Sequence, residues 1–164
     1  YMTLSHRWGE NHDAQMELTL ENMASLQQGV ETTSLSSTYR DAITTTRRLG
    51  VGFLWIDSLC IIQNEKRDWQ LQSAAMGMIY RNSFLNISSA VDALDCGMFV
   101  VRDPSRVEVF PVRNSEFQHS NTPSLALMPW DLWSRNVNLA LLNKRGWVLQ
   151  ERILSPRVLH FTEE

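Results

Sequence analysis

Apolar positions along the chain fall into short continuous runs separated by stretches with a helical period. Tyr1 to Leu4, Phe53-Leu54-Trp55-Ile56, Phe84-Leu85-Asn86-Ile87 and Val158-Leu159-His160-Phe161 are the runs. Unbroken runs, rather than alternating ones, mark strands buried on both faces of a parallel sheet. They predict strands near residues 2–5, 52–57, 84–88 and 157–161. Between the first two runs, Leu35, Tyr39, Ile43 and Thr46 share one helical face, with Ser34 or Ser36 available as N-cap. Arg47-Arg48 suit the last turn of that helix, and Gly50 suits the residue just past its end. Asn64 is placed to cap a second helix, with Glu65 and Asp68 in its first turn and Trp69, Gln72, Met76, Ile79 and Tyr80 on one face. A third helix is expected over Gly146–Leu154, stopped by Pro156.

Two regions lack this rhythm. Residues 10–33 are polar and irregular, apart from Met16, Leu18 and Leu20 in an extended segment or small strand. Residues 92–143 hold Pro104, Pro111, Pro123 and Pro129, with β-like pieces at Val107–Val112 and Ser124–Met128, and read as a β-rich insertion. The order is therefore β-α-β-α-β-(insertion)-α-β, which argues for an α/β fold with a Rossmann-like parallel sheet flanked by helices. The 164 residues suit one domain, residues 1–164. The opening at Tyr1, inside a strand-like run, reads as a domain excised from a longer protein.

Composition narrows the function classes. A net charge of −3 with scattered Lys and Arg gives no basic patch for nucleic acid. No apolar stretch reaches the ~18 residues of a membrane span, and no signal peptide is visible. Cys60 and Cys96 belong to no CxxC; Cys60 reads as a buried thiol in Leu59-Cys60-Ile61-Ile62, and a reducing, cytoplasmic compartment is expected. His6, His12, His119 and His160 form no metal-ligand spacing, so no metal site and no resident cofactor are expected. Gly50-Val51-Gly52 precedes a strand rather than following one, unlike a dinucleotide fingerprint.

In open parallel sheets, ligands bind beyond the carboxyl ends of the strands. Four polar groups fall there: Ser5-His6-Arg7, Asp57-Ser58, Ser88-Ser89, and the start of the helix bearing Arg145, Trp147 and Glu151. Each has an ordinary structural explanation. Ser5 suits a turn, Asp57 a cap, the serines stray backbone groups, and Glu151 a surface pair with Arg145 or Arg152. Their convergence on one rim is what points to a site. Trp8, Trp55, Trp69 and Trp147 lie on or beside apolar runs and are expected in the core. Trp130 and Trp133 suit either a small core within the insertion or an exposed partner patch.

The chain resembles the fungal heterokaryon incompatibility (HET) domain in three ordered segments. They are Leu4-Ser5-His6-Arg7-Trp8-Gly9, Leu54-Trp55-Ile56-Asp57-Ser58-Leu59-Cys60-Ile61-Ile62-Gln63, and Arg145-Gly146-Trp147-Val148-Leu149-Gln150-Glu151-Arg152 continuing to Leu154-Ser155-Pro156-Arg157. Ile62 departs from the family, which usually has Asn there. The resemblance implies non-self recognition whose activation kills the cell or arrests its growth, triggered by an upstream recognition protein or domain. It also implies a distant kinship with Toll/interleukin-receptor (TIR) domains, some of which cleave NAD⁺ at the nicotinamide–ribose bond and act when clustered. On that footing NAD⁺ or a related nucleotide is the substrate rather than a cofactor. Glu151 is the catalytic carboxylate, and Ser5, His6, Arg7, Asp57, Ser88, Arg145 and Trp147 bind substrate. The rival is a non-catalytic TIR-like module that self-assembles and recruits partners. The insertion before Trp147 departs from the TIR pattern.

Overall fold

The structure, a computed structural model, describes residues 1–7, 16–91, 97–101, 110–112, 125–127 and 129–163. Four strands form one parallel sheet: β1 (Met2–Ser5), β2 (Leu54–Ile56), β3 (Asn86–Ser89) and β6 (Val158–Phe161), in the order β2-β1-β3-β6. Each coincides with one of the apolar runs, shortened at the β2 end, where Phe53 is exposed and only Leu54–Ile56 pair with β1. The chain winds outward on one side of β1 and then returns to the other, so the order reverses between β1 and β3. In doubly wound sheets that switch point opens a crevice at the carboxyl ends.

Helix α2 (Ser37–Arg48) starts where Ser36 accepts a hydrogen bond from the Tyr39 amide, which selects Ser36 over Ser34 as cap. It ends with Arg47 and Arg48 in the last turn and Gly50 at φ 71°, a left-handed conformation suited to Gly. Helix α4 (Lys66–Arg81) is capped by Glu65, whose carboxylate accepts from the Arg67 and Asp68 amides. Asn64 is not the cap: its side chain accepts from the Leu20 amide and donates to Glu21, tying residues 20–21 to this loop. Helix α5 (Gly146–Leu154) and β6 follow as the pattern predicts.

The polar stretch 16–33 contains a short helix α1 (Met23–Gln27), which apolar periodicity does not mark because none of its residues is buried. Leu18 does run extended: its amide donates to the Ser58 carbonyl and its carbonyl accepts from Gln63. Each of the two β-like pieces of the insertion contains a strand. The described part of the insertion holds one antiparallel pair, β4 (Phe110–Val112) with β5 (Leu125–Leu127), then a π-helical stretch Ser134–Asn138 and a 3₁₀ turn Leu141–Lys144. Trp8, His12, Cys96 and His119 lie outside the described residues.

The two faces of the sheet differ. Met2, Leu4, Ile56 and Ile87 project toward α2 and pack with Leu35, Tyr39, Ala42 and Met98 into the apolar core. The opposite face, beneath α4 and α5, carries Thr3 and Ser5 from β1 and Asn86 and Ser88 from β3, all buried. Trp55 of β2 meets Tyr80 of α4 edge-on there, ring centroids 5.6 Å apart. Among the described residues no helix is long and apolar enough to cross a membrane.

Candidate functional site

The buried polar face is organised by one directed chain of hydrogen bonds. Thr3 Oγ1 donates to Asn86 Oδ1 (3.0 Å), Asn86 Nδ2 donates to Ser5 Oγ (2.9 Å), and Ser5 Oγ donates to Glu151 Oε2 in a short contact. The Tyr80 hydroxyl is near enough to act electrostatically on the Glu151 carboxyl group. Each polar group thus meets the need of the next, as burial requires. Ser5 ends β1, Asn86 opens β3, Tyr80 lies in the last turn of α4 and Glu151 is the sixth residue of α5. Four elements therefore converge on one carboxyl group at the switch point.

Glu151 is only 6% exposed, and among the described residues no arginine forms an ion pair with it. It lies in the second turn of α5, beyond the first turn where the helix dipole favours a carboxylate. Burial holds its pKa above the ordinary range. The Ser5 and Tyr80 hydroxyls and Arg145 pull it back down, while the Asp57 charge adds to the rise. Tyr80 is pushed well up by burial and then by Glu151 and Asp57, so it remains a proton donor.

On the other side of β1, His6 Nε2 lies 3.1 Å from the Tyr39 hydroxyl, which in turn lies 2.6 Å from Ser58 Oγ. Adjacent residues of an extended strand point to opposite faces, and Ser5 and His6 accordingly serve separate clusters. Burial lowers the His6 pKa, outweighing the raising effect of Asp57, whose Oδ1 is 3.8 Å from Nδ1. His6 is therefore neutral near neutral pH, and its Nδ1 makes no hydrogen bond. Asp57, the first residue of the short helix α3 (Asp57–Cys60), accepts from the Ser58 amide at Oδ1 (2.8 Å) and does not cap the helix.

A cleft of about 230 Å³ opens beside these groups. Asp57, Arg145, Trp147 and Glu151 line it, together with Trp69, Ser73 and Met76 of α4 and Ile61 and Gln63 of the preceding loop. Arg145 Nη1 donates to the His6 carbonyl (2.8 Å), which fastens the start of α5 to the end of β1. Gln63 Nε2 donates to the Asp57 and Ile61 carbonyls. Trp69 and Trp147 are 46% and 50% exposed. Both were expected in the core; they line the cleft instead and stand half in solvent. Trp55 alone of the three described is packed into the fold, and Trp130 is exposed.

Of the rim residues read from the sequence, Asp57, Arg145, Trp147 and Glu151 meet in this cleft, and Ser5 reaches it through Glu151. His6, Arg7 and Ser88 do not line it. His6 lies in the separate Tyr39 cluster, Arg7 is half-buried beyond β1, and Ser88 is buried within the sheet opposite Ser5. Cys60 is a correction: it is a free, exposed thiol in the last position of α3 rather than a buried one. Sequence reasoning missed Thr3, Tyr80 and Asn86 as supports. The available signal was a polar residue inside an apolar strand run, Asn86 in Phe84–Ile87 and Thr3 in Met2–Leu4. No group of three or more His, Cys, Asp or Glu that could hold a metal occurs among the described residues.

A model of the family described as "Heterokaryon incompatibility protein (HET)" matches residues 1–151. Neither a curated protein nor a solved structure matches the chain. The family match runs from β1 through the cleft and reaches Glu151 itself, covering far more than half of the sequence, and so the chain belongs to the heterokaryon incompatibility family.

Proposed function

We propose that this domain cleaves NAD⁺ at the nicotinamide–ribose bond, and that the loss of NAD⁺ and release of products kill the cell in which it is activated. Membership of the family supports a role in heterokaryon incompatibility; the TIR-like chemistry is the reading added here. One observation carries it: Glu151 is a buried carboxyl group, held by the Ser5 hydroxyl, that lines an open cleft at the switch point of a parallel sheet. Departure of neutral nicotinamide leaves a ribosyl cation resembling the oxocarbenium ion of glycoside cleavage. A fixed carboxylate stabilises such a charge as it develops. Water then adds to the ribosyl carbon and loses a proton, giving ADP-ribose and free nicotinamide. Arg145, at the mouth of the cleft, suits a phosphate of the dinucleotide.

A second reading, a non-catalytic module that self-assembles, is favoured by Leu149 and Ile153, apolar and exposed four residues apart on the outer face of α5. Glu151→Gln separates the two, since it keeps size and removes charge. The variant is expected to fold, to release no nicotinamide from NAD⁺ and to have lost cell killing. A folded Gln variant that still kills transfers the function to the scaffold reading.

A further inference from the structure

We infer that Ser5 and Asn86 are positioning residues whose hydrogen bonds reverse when Glu151 gains a proton, which fits Glu151 to take up the proton of the attacking water as well as to face the ribosyl cation. The water step rests on the glycohydrolase reading; the reversal does not.

The surroundings of one atom lead there. Ser5 Oγ lies within hydrogen-bond reach of Glu151 Oε2, of Asn86 Nδ2 at 2.9 Å and of Asn86 Oδ1 at 3.3 Å. A hydroxyl has one hydrogen to give and two lone pairs to receive. While Glu151 is ionised, that hydrogen points at Oε2 and Asn86 Nδ2 donates to Oγ. Once Glu151 is protonated, its own O–H donates to Oγ and the serine hydrogen turns to Asn86 Oδ1. That oxygen already accepts from Thr3 and has a second lone pair for Ser5. Only hydrogens move. Thr3, Ser5, Asn86 and Glu151 are all buried, so the partners in either state must come from the protein rather than from bulk water.

Fixed backbone N–H donors would serve the carboxylate alone and hold its pKa low. The serine hydroxyl serves both forms. The other charged or titratable groups that bear on Glu151 are Asp57 beyond β2, Tyr80 of α4 and Arg145 at the head of α5. Asp57 favours the acid, while Tyr80 and Arg145 favour the carboxylate, so these neighbours do not commit Glu151 to one form. When water adds to the ribosyl carbon, a C–O bond forms, an O–H bond breaks, and the proton passes to the Glu151 carboxylate. It leaves for solvent through the cleft, which Glu151 lines, before the next turnover.

The test follows the Glu151 carboxyl carbon by carbon-13 NMR in the full chain, its resonance identified by its absence from Glu151→Gln. In the wild type, the side-chain carbonyl carbon of Asn86 is expected to shift downfield with the same midpoint, because Oδ1 then receives a second hydrogen bond. Asn86→Leu keeps the branched shape and withdraws the acceptor that the serine hydrogen needs when Glu151 is protonated. Glu151 should then bind its proton about threefold more weakly, the size of one lost neutral hydrogen bond. An Asn86 that only polarised Ser5 toward the carboxylate gives the opposite sign. An Asn86 carbon that does not follow the titration, or a proton held as tightly or more tightly in Asn86→Leu, overturns the inference; the wild-type measurement decides even where the variant fails to fold. With NAD⁺, Asn86→Leu should lower kcat by about tenfold and leave KM unchanged, since proton uptake is impaired and binding is not. An unchanged kcat overturns the assignment of proton uptake to Glu151. The titrations need no turnover, so a chain that passes them yet leaves NAD⁺ intact upholds the reversal and overturns the glycohydrolase reading instead.

Discussion

At Glu151 two demands on one side chain oppose each other. Chemistry at a ribosyl cation asks for a carboxylate, whereas burial beneath α4 and α5 favours the acid. The hydroxyls of Ser5 and Tyr80 stabilise the ionised form but do not cancel the rise. The pH consequences follow in sign. NAD⁺ cleavage should fall as pH is lowered, with a midpoint above the ordinary 4.5, because protonated Glu151 cannot meet the developing cation. A rate profile whose acid limb lies at or below that value would remove Glu151 from the reaction. Between 4.5 and the raised value the folded state holds more protons than the unfolded one, so Glu151 costs stability increasingly as pH rises through that window. The Gln substitution removes this cost, and its urea midpoint near neutral pH should match or exceed that of the wild type. Much of this cluster was legible residue by residue. Glu151, Asp57, Arg145 and Trp147 follow from where strands end and a helix begins. The supporting Thr3, Asn86 and Tyr80 do not, because their role depends on which sheet face α4 covers, and strand runs without alternation hide that choice.

Among the elements, those that bury an apolar stripe were legible and those that do not were missed. Helix α2 has its cap, its basic last turn and its terminal glycine in the sequence, and it forms as read. Helix α1 buries nothing and left no period to read. Trp69 and Trp147 share the spacing of core aromatics, so only their place on the cleft distinguishes them. The return of the chain after β3 shows a further junction that periodicity cannot show. Gly97 has φ 74°, and a side chain there would press on Asp41 Oδ2 and the Ser37 Cβ of α2. That same Asp41 oxygen accepts from the Met98 (2.6 Å) and Phe99 (3.1 Å) amides and so seats Met98 in the apolar core. Gly97→Ala is expected to cost at least the ~1–2 kcal/mol of a left-handed non-glycine residue, with a further loss from displacing Asp41. Chemical denaturation measures it, and an unchanged midpoint would show that Asp41 does not hold this junction. Because α2 faces away from the cleft, binding of NAD⁺ to the remaining folded fraction should be unaltered.

The whole molecule divides its labour between the two sides of one sheet. The α2 side is a closed apolar core, and the α4–α5 side trades core for a polar network and an open cleft. An open cleft is a poor place to form a ribosyl cation, since water weakens electrostatic stabilisation and the indoles of Trp69 and Trp147 stand half in solvent. A domain that kills its own cell must also be quiet at rest. On the proposed glycohydrolase reading, both requirements are met if a neighbouring copy completes the cleft wall only when domains are crowded. NAD⁺ cleavage per molecule should then rise with concentration, by about tenfold or more when the chain is fused to an oligomerising partner, which corresponds to about 1.4 kcal/mol of barrier. Glu151→Gln in the same fusion should stay inactive, which separates assembly from chemistry. If cleavage per molecule is the same for dilute, concentrated and fused protein, the cleft is complete within one chain and its silence at rest must come from another part of the protein or from a partner.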